Sequence, residues 1–439
     1  MKSAVETSIL HKLADDNLES VPGILNEIRQ NSFRTLQTSR FPTRRDEDWR
    51  FTDLKPITRT DFTHIEEAGV KSPGDLSEYF IPESINSRLV FVNGEFSSEH
   101  SSVESLPEGV TIQNLYDNLN DESAARYLNQ LADYPDDIFV PFNGLHFTDG
   151  AYIHIAKDVD AGSPIQILNI YTDAEKPFIA TPRSLIVAEQ GAKATVIEEH
   201  IGLADNSYMT IPVGEFKLKK GSHIHHVRIV RDSINAVHVS RPVSYLEKEA
   251  EYHSYTITLG ARLSRNEPKV IMEDEDVKFT VDGLVLIDGD QIADTHSTLD
   301  HRYSFAESHQ LHKVVVNGSA HSIFNGKIFV QRDAQKIDSF QENRNLLLST
   351  EGLVNTKPQL EIFADDVLCS HGATIGQLDP EEVFYLQSRG MTEQKAKEVL
   401  TYAFALETIE NIEVESVHKL LIEEVKKYTE ANNVPKVTA

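Results

Sequence analysis

The 439-residue chain has one cysteine, one tryptophan and no long apolar run. A single cysteine rules out an intramolecular disulfide and any metal site built from several thiolates of this chain alone. No stretch approaches the roughly 20 apolar residues that a membrane span needs. The first residues lack the continuous apolar segment of a secretory signal, so we expect a reducing compartment, the cytoplasm.

Positive charge is scarce as well. The chain has 42 lysines and arginines against 69 aspartates and glutamates, and its formal net charge is -27. A surface of this sign repels nucleic acid and anionic membranes, so we expect neither as a partner. The only local basic cluster, residues 40–45 with Arg50 close behind, is interrupted by acidic residues, and we interpret it as a packed ion-pair region.

Common catalytic motifs are missing. The chain has no GxxxxGKS or GxxxxGKT loop, no GxGxxG after a strand, and no GxSxG, HExxH or CxxC. Asp294, His296 and Asp300 are residue types suited to acid–base work, but nothing in their spacing fixes a nucleophile. The sequence therefore gives little support to an enzyme.

Short β-branched runs follow one another from about residue 150 to 375, with no helical pattern between them. This excludes a doubly wound α/β fold, whose parallel strands need helical crossovers. Small-residue starts near 191, 221, 249, 292, 319 and 333 are often about 27 to 30 residues apart, with one longer and one shorter gap. That spacing predicts a mainly β protein built as a β-solenoid. An antiparallel sandwich is the competing interpretation.

Helical patterns stand at both ends of the β region. Apolar residues recur at helical spacing to about residue 60, with Pro22 near a helix start, and a mixed stretch with a β-like run at 87–94 and a helical run at 121–131 follows. After Asp379, a predicted N-cap, we expect three helices, the second capped by Thr392 and the third at 414–428. They should dock on the solenoid's end, on a partner, or on both. We predict three parts: 1–150 helical and mixed, 151–378 β-helix core, and 379–439 C-terminal helical domain.

The run 367–376 (VLCSHGATIG) holds Cys369 two residues before His371. Thiolate and imidazole both bind iron, zinc or copper, and residues two apart on a strand share a face. Two ligands do not complete a metal site, so any others must come from elsewhere in the chain or from a partner. The alternative is that Cys369 is an ordinary core residue, as free cysteines commonly are.

The chain has 18 histidines, and two groups stand out. His223 and His225 fall on one face of a predicted strand, where metal binding competes with an ordinary hydrogen-bonded or solvated face. The first group also includes His226. The second group consists of His296, His301, His309, His312 and His321.

Several segments together resemble the SufB/SufD family of the SUF iron–sulfur cluster assembly system. They are residues 41–54 (FPTRRDEDWRFTDL), 324–330 (FNGKIFV), 341–349 (QENRNLLLS), 357–376 (KPQLEIFADDVLCSHGATIG) and 384–390 (FYLQSRG). The similarity spans almost the whole chain. The N-terminal cysteine motifs of SufB are absent, which favours the SufD branch of the family.

The resemblance implies a right-handed parallel β-helix between helical ends, in agreement with the solenoid prediction. It also implies a heterodimer with a SufB-like paralogue, an ABC-type SufC-like ATPase docked on the C-terminal helices, and sulfur from a cysteine desulfurase system. His371 matches the histidine linked to a nascent cluster shared with the paralogue, and Cys369 matches a neighbouring cysteine of less defined role. For the ATPase contact we expect Tyr385, Leu386, Arg389, Gly390 and Met391.

The leading hypothesis is therefore a non-enzymatic scaffold subunit for iron–sulfur cluster assembly. The isolated chain should bind no cofactor stably, and iron or a cluster would be transient cargo of the complex. The alternative from a different class is a β-helix enzyme acting on acidic polysaccharide, an activity found among solenoid proteins. The acidic charge, the single cysteine and the helical C-terminal end speak against it.

Overall fold

The computed structural model describes residues 8–14, 23–134 and 136–432. Within them the strands are β1 (Arg88–Val92), β2 (Glu95–Phe96), β3 (Val110–Asn114), β4 (Gly150–Ile155), β5 (Ile165–Tyr171), β6 (Phe178–Ala180), β7 (Arg183–Ala188), β8 (Lys193–Gly202), β9 (Tyr208–Thr210), β10 (Val213–Leu218), β11 (His223–Arg231), β12 (Val237–Leu246), β13 (Glu251–Thr258), β14 (Leu263–Asn266), β15 (Lys269–Met272), β16 (Lys278–Ile287), β17 (Ile292–His301), β18 (Glu307–Val316), β19 (His321–Val330), β20 (Ile337–Leu347), β21 (Leu353–Ile362) and β22 (Val367–Gly376).

The α-helices within the same residues are α1 (Ile9–Leu13), α2 (Ile24–Thr38), α3 (Lys55–Thr58), α4 (Glu122–Tyr127), α5 (Phe139–His146), α6 (Pro380–Ser388), α7 (Glu393–Ile409) and α8 (Glu415–Asn432). Short 3-10 helices lie at Glu47–Trp49, Ile65–Glu67, Ser77–Tyr79, Pro82–Ser84 and Tyr116–Asn118.

The strands form a parallel β-solenoid. The chain alternates between a ten-stranded sheet, in the order β2-β1-β5-β8-β11-β13-β16-β18-β20-β22, and a twelve-stranded sheet that runs from β3 to β21. Strands one coil apart pair in parallel: Lys193 stands beside His223, 30 residues later, and Glu251 beside Lys278, 27 residues later. The antiparallel strand pairs among the described residues are β1 with β2 and β3 with β4.

The solenoid prediction is therefore confirmed, and the sandwich alternative is wrong. The structure also explains the irregular gaps in the sequence repeat. The starts near 191, 221, 249 and 333 precede strands of the ten-stranded sheet, whereas those at 292 and 319 lie at strands of the twelve-stranded sheet. The repeat starts thus move from one sheet to the other and back. Each move lengthens or shortens the spacing between two starts by part of a coil.

Successive side chains along each strand point alternately into the solenoid and away from it. On β11, Ile224 faces inward between Ala194 of β8 and Tyr252 of β13, and all three belong to the apolar cluster inside the solenoid. Each coil thus covers the inner face of the next, as expected of a repeat whose single unit cannot bury its own core.

The N-terminal region packs on the flank of the solenoid. Leu25 and Ile28 of α2 share an apolar cluster with Leu185 of β7 and Val243 of β12. The helical pattern predicted to about residue 60 holds for α2, but the rest forms short helices and turns. The expected helix start at Pro22 lies outside the described residues.

The helical run predicted at 121–131 ends early, at Tyr127. Its N-cap is Asp121, as the pattern requires, but Leu128 is extended and Asn129 has a positive φ of 60°. The backbone N–H groups of Asn129, Leu131 and Ala132 instead donate to the buried carboxylate of Glu215 on β10, at 2.9, 3.0 and 3.1 Å. This distant acceptor replaces the helical hydrogen bonds.

The C-terminal helices begin where the capping residues predict. Asp379 accepts the Glu381 N–H at 2.8 Å, and the Thr392 hydroxyl accepts the Lys395 N–H at 3.2 Å. The third helix begins at Glu415 and extends to Asn432, beyond the predicted end at 428.

Helices α7 and α8 pack on the outer face of the ten-stranded sheet, in a cluster that includes Val227, Ile257, Ile409 and Leu421. The predicted docking of these helices on the solenoid's end is therefore wrong, because their apolar residues pack against apolar side chains on the outer side of the sheet. Docking on a partner stays a prediction. Among the described residues no helix has both the length and the hydropathy of a membrane span.

Candidate functional site

Both sheets end in a strand with one free edge. Strand β22 is the last of the ten-stranded sheet and pairs with β20 alone, and β21 is the last of the twelve-stranded sheet and pairs with β19 alone. Edge strands carry unpaired N–H and C=O groups, which are a template for pairing with another chain. We call the surface formed by β21 and β22 the open end of the solenoid.

Cys369 and His371 lie on β22 and share a face, as the sequence predicts. Their partners in register on β20 are Ser339 and Gln341, whose side chains are buried and point into the solenoid. Cys369 and His371 therefore also point to the interior side. His371 is nevertheless exposed, because no further coil covers β22.

Cys369 is only partly exposed and packs against the apolar cluster inside the solenoid. Burial raises the pKa of its thiol, and the nearby Asp338 carboxylate raises it further. Both effects disfavour the thiolate, the form that binds metal. In the isolated chain the geometry thus favours the core-packing interpretation of Cys369.

The open end does not contain a complete set of metal ligands. Across residues 8–14, 23–134 and 136–432, no three His, Cys, Asp or Glu side chains are grouped so as to hold a metal ion. His371 is therefore an exposed imidazole on an edge strand with room beside it for ligands from elsewhere.

Large apolar side chains are exposed around the open end. Leu368 on β22 is 73% exposed and Leu353 on β21 is 57% exposed, and Phe363 and Ile375 are also exposed. Apolar side chains grouped at an unpaired strand edge are typical of a protein-binding surface rather than of a free one.

The residues expected to contact an ATPase lie on α6 and the turn after it. Tyr385 is exposed, the Arg389 guanidinium lies 5.2 Å from the centre of its ring, and Arg389 Nη2 donates to the Tyr385 hydroxyl at 3.1 Å. Gly390 has φ +94°, a conformation that ends the helix and that other residues rarely adopt. Leu386 is half-buried, and Met391 is exposed.

The sequence analysis did not single out Phe384, although it is the most exposed aromatic residue of α6 at 70%. Its position next to Tyr385, about 100° around the helix from buried Val383, was the available signal. Phe384 and Tyr385 together form an exposed aromatic pair that leads into the turn at Gly390.

The first histidine group divides between the two faces of β11. His223 and His225 point outward: His223 lies 3.0 Å from Glu251, and His225 stacks on His253 with ring centres 4.7 Å apart. His226 points inward, is buried and lies 3.1 Å from Glu198. The predicted shared face of His223 and His225 is confirmed, and both have ordinary partners.

The second histidine group does not converge on one place. His301 and His312 are buried inside the solenoid, whereas His309 is exposed beside Phe340 and His321 bonds Asn355 at 2.7 Å. His296 Nε2 lies 2.9 Å from the buried carboxylate of Asp294.

The remaining acid–base candidates are engaged elsewhere. The Asp294 carboxylate also accepts from the Arg265 guanidinium and, at 2.5 Å, from the Thr52 hydroxyl. Although burial opposes its ionisation, Arg265 holds the pKa of Asp294 well below its usual range. Asp300 lies apart and pairs with Arg302 at 2.7 Å. The structure thus gives Asp294 a structural partner and does not gather these residues into one catalytic group.

Comparison with protein families covers nearly the full length. Residues 170–404 match the model described as SUF system FeS cluster assembly, SufBD core domain, and residues 8–167 match the SufBD protein N-terminal region.

Individual relatives have the same span. The chain is 35% identical over 405 residues to an iron–sulfur cluster assembly SufBD family protein of Synechocystis sp., covering 90% of this chain and 89% of that protein. It is 29% identical to the iron–sulfur cluster assembly protein SufD of Escherichia coli, covering 90% of each. It is 28% identical to the chloroplastic protein ABCI7 of Arabidopsis thaliana, covering 90% and 85%.

Proposed function

The chain belongs to the SufBD family of SUF-system iron–sulfur cluster assembly proteins, as a SufD homologue, and we propose that it acts there as a scaffold subunit without catalytic activity of its own. In this proposal iron or a nascent cluster is cargo held at the open end, with His371 as one ligand. The chain works in the cytoplasm, and neither nucleic acid nor a membrane takes part.

One observation carries the proposal: His371 is exposed on a strand with one free edge, in a chain whose described residues offer no complete metal site. A cluster that must be handed on benefits from a ligand set divided between two chains, because each chain alone binds it weakly. Cys369 stands beside His371 as a second candidate ligand, and burial of its thiol makes it the less suitable one.

The partner at the open end is a SufB-like paralogue. The free edges of β21 and β22 and the exposed side chains of Leu353 and Leu368 suit pairing with a chain of the same fold. The missing ligands, among them a cysteine, come from that partner, and sulfur comes from a cysteine desulfurase system.

A SufC-like ATPase docks on α6 and the turn that follows it. Phe384, Tyr385 and Met391 are exposed there, next to a helix pair that is packed on the solenoid. The short connection through Leu378 joins β22 to α6, so the proposed ATPase contact directly follows the open end along the chain.

The experiment is reconstitution of the complex with His371→Ala. We expect the variant to fold and to bind its partners, but cluster formation, followed by visible absorption, to fall strongly. His309→Ala is the matched control, since His309 is also exposed but points outward from β18. Undiminished cluster formation with His371→Ala would remove the proposed role of the open end.

Replacing the exposed Phe384 and Tyr385 by alanine tests the ATPase contact and leaves the packing of α7 and α8 on the sheet in place. Binding of the ATPase should be lost, and retained binding would place the contact elsewhere. The polysaccharide-enzyme alternative is not carried forward, because the family match supports iron–sulfur cluster assembly instead and the acid–base candidate Asp294 is held by Arg265 and Thr52.

A further inference from the structure

Amide side chains occupy the inner face of the last coils, directly behind His371. Gln310 of β18, Gln341 of β20 and His371 of β22 stand beside one another in register, so they form one column along the inside of the solenoid. Gln310 and Gln341 are fully buried.

Among the residues that the structure describes, the amide of Gln341 has no hydrogen-bond partner at either Oε1 or Nε2. Gln310 is only half satisfied: its Oε1 is 2.7 Å from the Ser297 hydroxyl and 3.2 Å from His312 Nε2, and its Nε2 has no partner. Leaving a buried polar group unpaired costs about 1–3 kcal/mol. A buried amide with both ends free therefore points to a partner close by.

The surroundings of the Gln341 amide limit where that partner can lie. Across the interior, the amide packs against Gly326 of β19, where a side chain would overlap both the amide and the Phe324 ring. The glycine, which has no side chain, and the aromatic ring leave no room for a partner on that side. Along its own column, Gln341 has Gln310 on one side and His371 on the other, and each of them has hydrogen-bonding capacity to offer.

We propose that Gln341 is a positioning residue, whose side-chain carbonyl accepts the inward N–H of the His371 ring and so presents the lone pair of the other ring nitrogen to iron or a nascent cluster. The inference rests on the proposed function of His371. Histidines that bind metal commonly donate their second N–H in this way, which fixes both the tautomer and the ring orientation.

The rest of the column accommodates this direction of hydrogen bonding. The oxygen of Gln310 now faces Ser297 and His312, so the Gln310 amide must turn over by about 180°. Its oxygen then accepts from the Gln341 NH2 group while Gln341 accepts from His371, and its own NH2 faces Ser297 and His312. A hydroxyl group and a neutral imidazole can each act as donor or acceptor, so Gln310 stays satisfied. The column thus joins His371 to the interior of the solenoid through two amides.

The test is the tautomer of His371 in the isolated chain, read from the 15N shifts of its ring at a pH where the ring is neutral. His371→Ala identifies the signals. We expect one tautomer to dominate in the wild type and in Gln341→Glu, whose carboxylate can only accept. In Gln341→Met, which has similar volume but no hydrogen-bonding group, the signals should shift toward a mixture of tautomers.

Gly326→Ala provides a second perturbation: the added Cβ overlaps the Gln341 amide and the Phe324 ring, so the amide is displaced and the His371 signals should again shift toward a mixture of tautomers. In the reconstituted complex, Gln341→Met should slow cluster formation about 10-fold or more, the usual effect of losing such a supporting group, and Gln341→Glu should restore it.

Identical His371 shifts in the wild type and Gln341→Met would overturn the inference and leave the proposed function intact. Undiminished assembly with His371→Ala would instead overturn the proposed function, whatever the tautomer. The two failures are therefore distinguishable.

Discussion

Leu368 provides the most direct test of partner binding at the open end. It lies on the edge strand β22 and is 73% exposed, so it contributes little to the stability of the isolated chain. If a SufB-like paralogue pairs with this edge, the side chain becomes buried on binding. The change Leu368→Ala removes three carbons from that contact and leaves the strand backbone as it is.

The size of the effect follows from the exposed area. Three carbons correspond to about 2.4 kcal/mol when fully transferred from water, at about 0.8 kcal/mol each. Because about a quarter of Leu368 is already covered in the free chain, about 1.7 kcal/mol remains to be gained on binding. We therefore expect Leu368→Ala to weaken partner binding roughly 20-fold.

The assay is calorimetric titration of each variant with the purified paralogue. Ile234→Ala is the matched control: Ile234 is 52% exposed in the connection between β11 and β12, away from the open end, and its loss should leave the Kd unchanged. Thermal unfolding of both variants should match the wild type. A Kd for Leu368→Ala within twofold of the wild-type value would refute docking at this edge.

Three further predictions concern the chain itself. Glu215→Leu should cost about 3–5 kcal/mol in denaturant unfolding because it leaves the buried Arg183 unpaired; a double variant with Arg183→Met that is no more stable would contradict this. Cys369 should be alkylated more slowly than a free thiol at neutral pH, since burial raises its pKa, and equal rates would argue against it. Burial lowers the pKa of His301 to about 4 and of His312 to about 3, below the unfolded value of 6.5, so stability is full above pH 6.5 and falls as the pH drops. At pH 5 each histidine costs about 2 kcal/mol, and His312→Gln should remove its share; an unchanged loss of stability between pH 7 and 5 would contradict the assignment.

The solenoid could be predicted because its repeat is local and frequent. β-branched runs recur about every 27 to 30 residues, and each coil repeats the same solution to burying one face. Helix starts at Asp379 and Thr392 were predictable for a similar reason, because an N-cap acts within three residues of itself.

The N-terminal region was less predictable because its structure depends on distant acceptors. The segment 128–132 has a helical pattern in the sequence, yet its N–H groups bond to Glu215, more than 80 residues away. Likewise Trp49 forms the surface on which Arg265 lies, 3.7 Å from the ring centre. No local pattern contains such partners.

At the open end, the shared face of Cys369 and His371 followed from their spacing, but not the side to which they point. The usual signal is that the apolar face of a strand points inward. On β20 that signal is lost, because the buried inward residues after Ile337 are polar: Ser339, Gln341, Asn343 and Asn345. The side of β22 that faces the interior can be identified only from the register of this strand with the preceding coils.

This change in the interior explains how the solenoid can end without a cap. One inward column, followed coil by coil through the register, starts with apolar residues and changes to two serines in the coils before Cys369: Ala194, Ile224, Tyr252, Phe279, Ser308, Ser339 and Cys369. An apolar interior exposed at the last coil would favour indiscriminate association, whereas hydroxyl and amide groups tolerate water. Binding of a specific partner then depends on Leu353, Leu368 and the free strand edges of the open end. The interior behind His371 stays polar. An end of this kind can bind a partner and still admit and release a charged cargo.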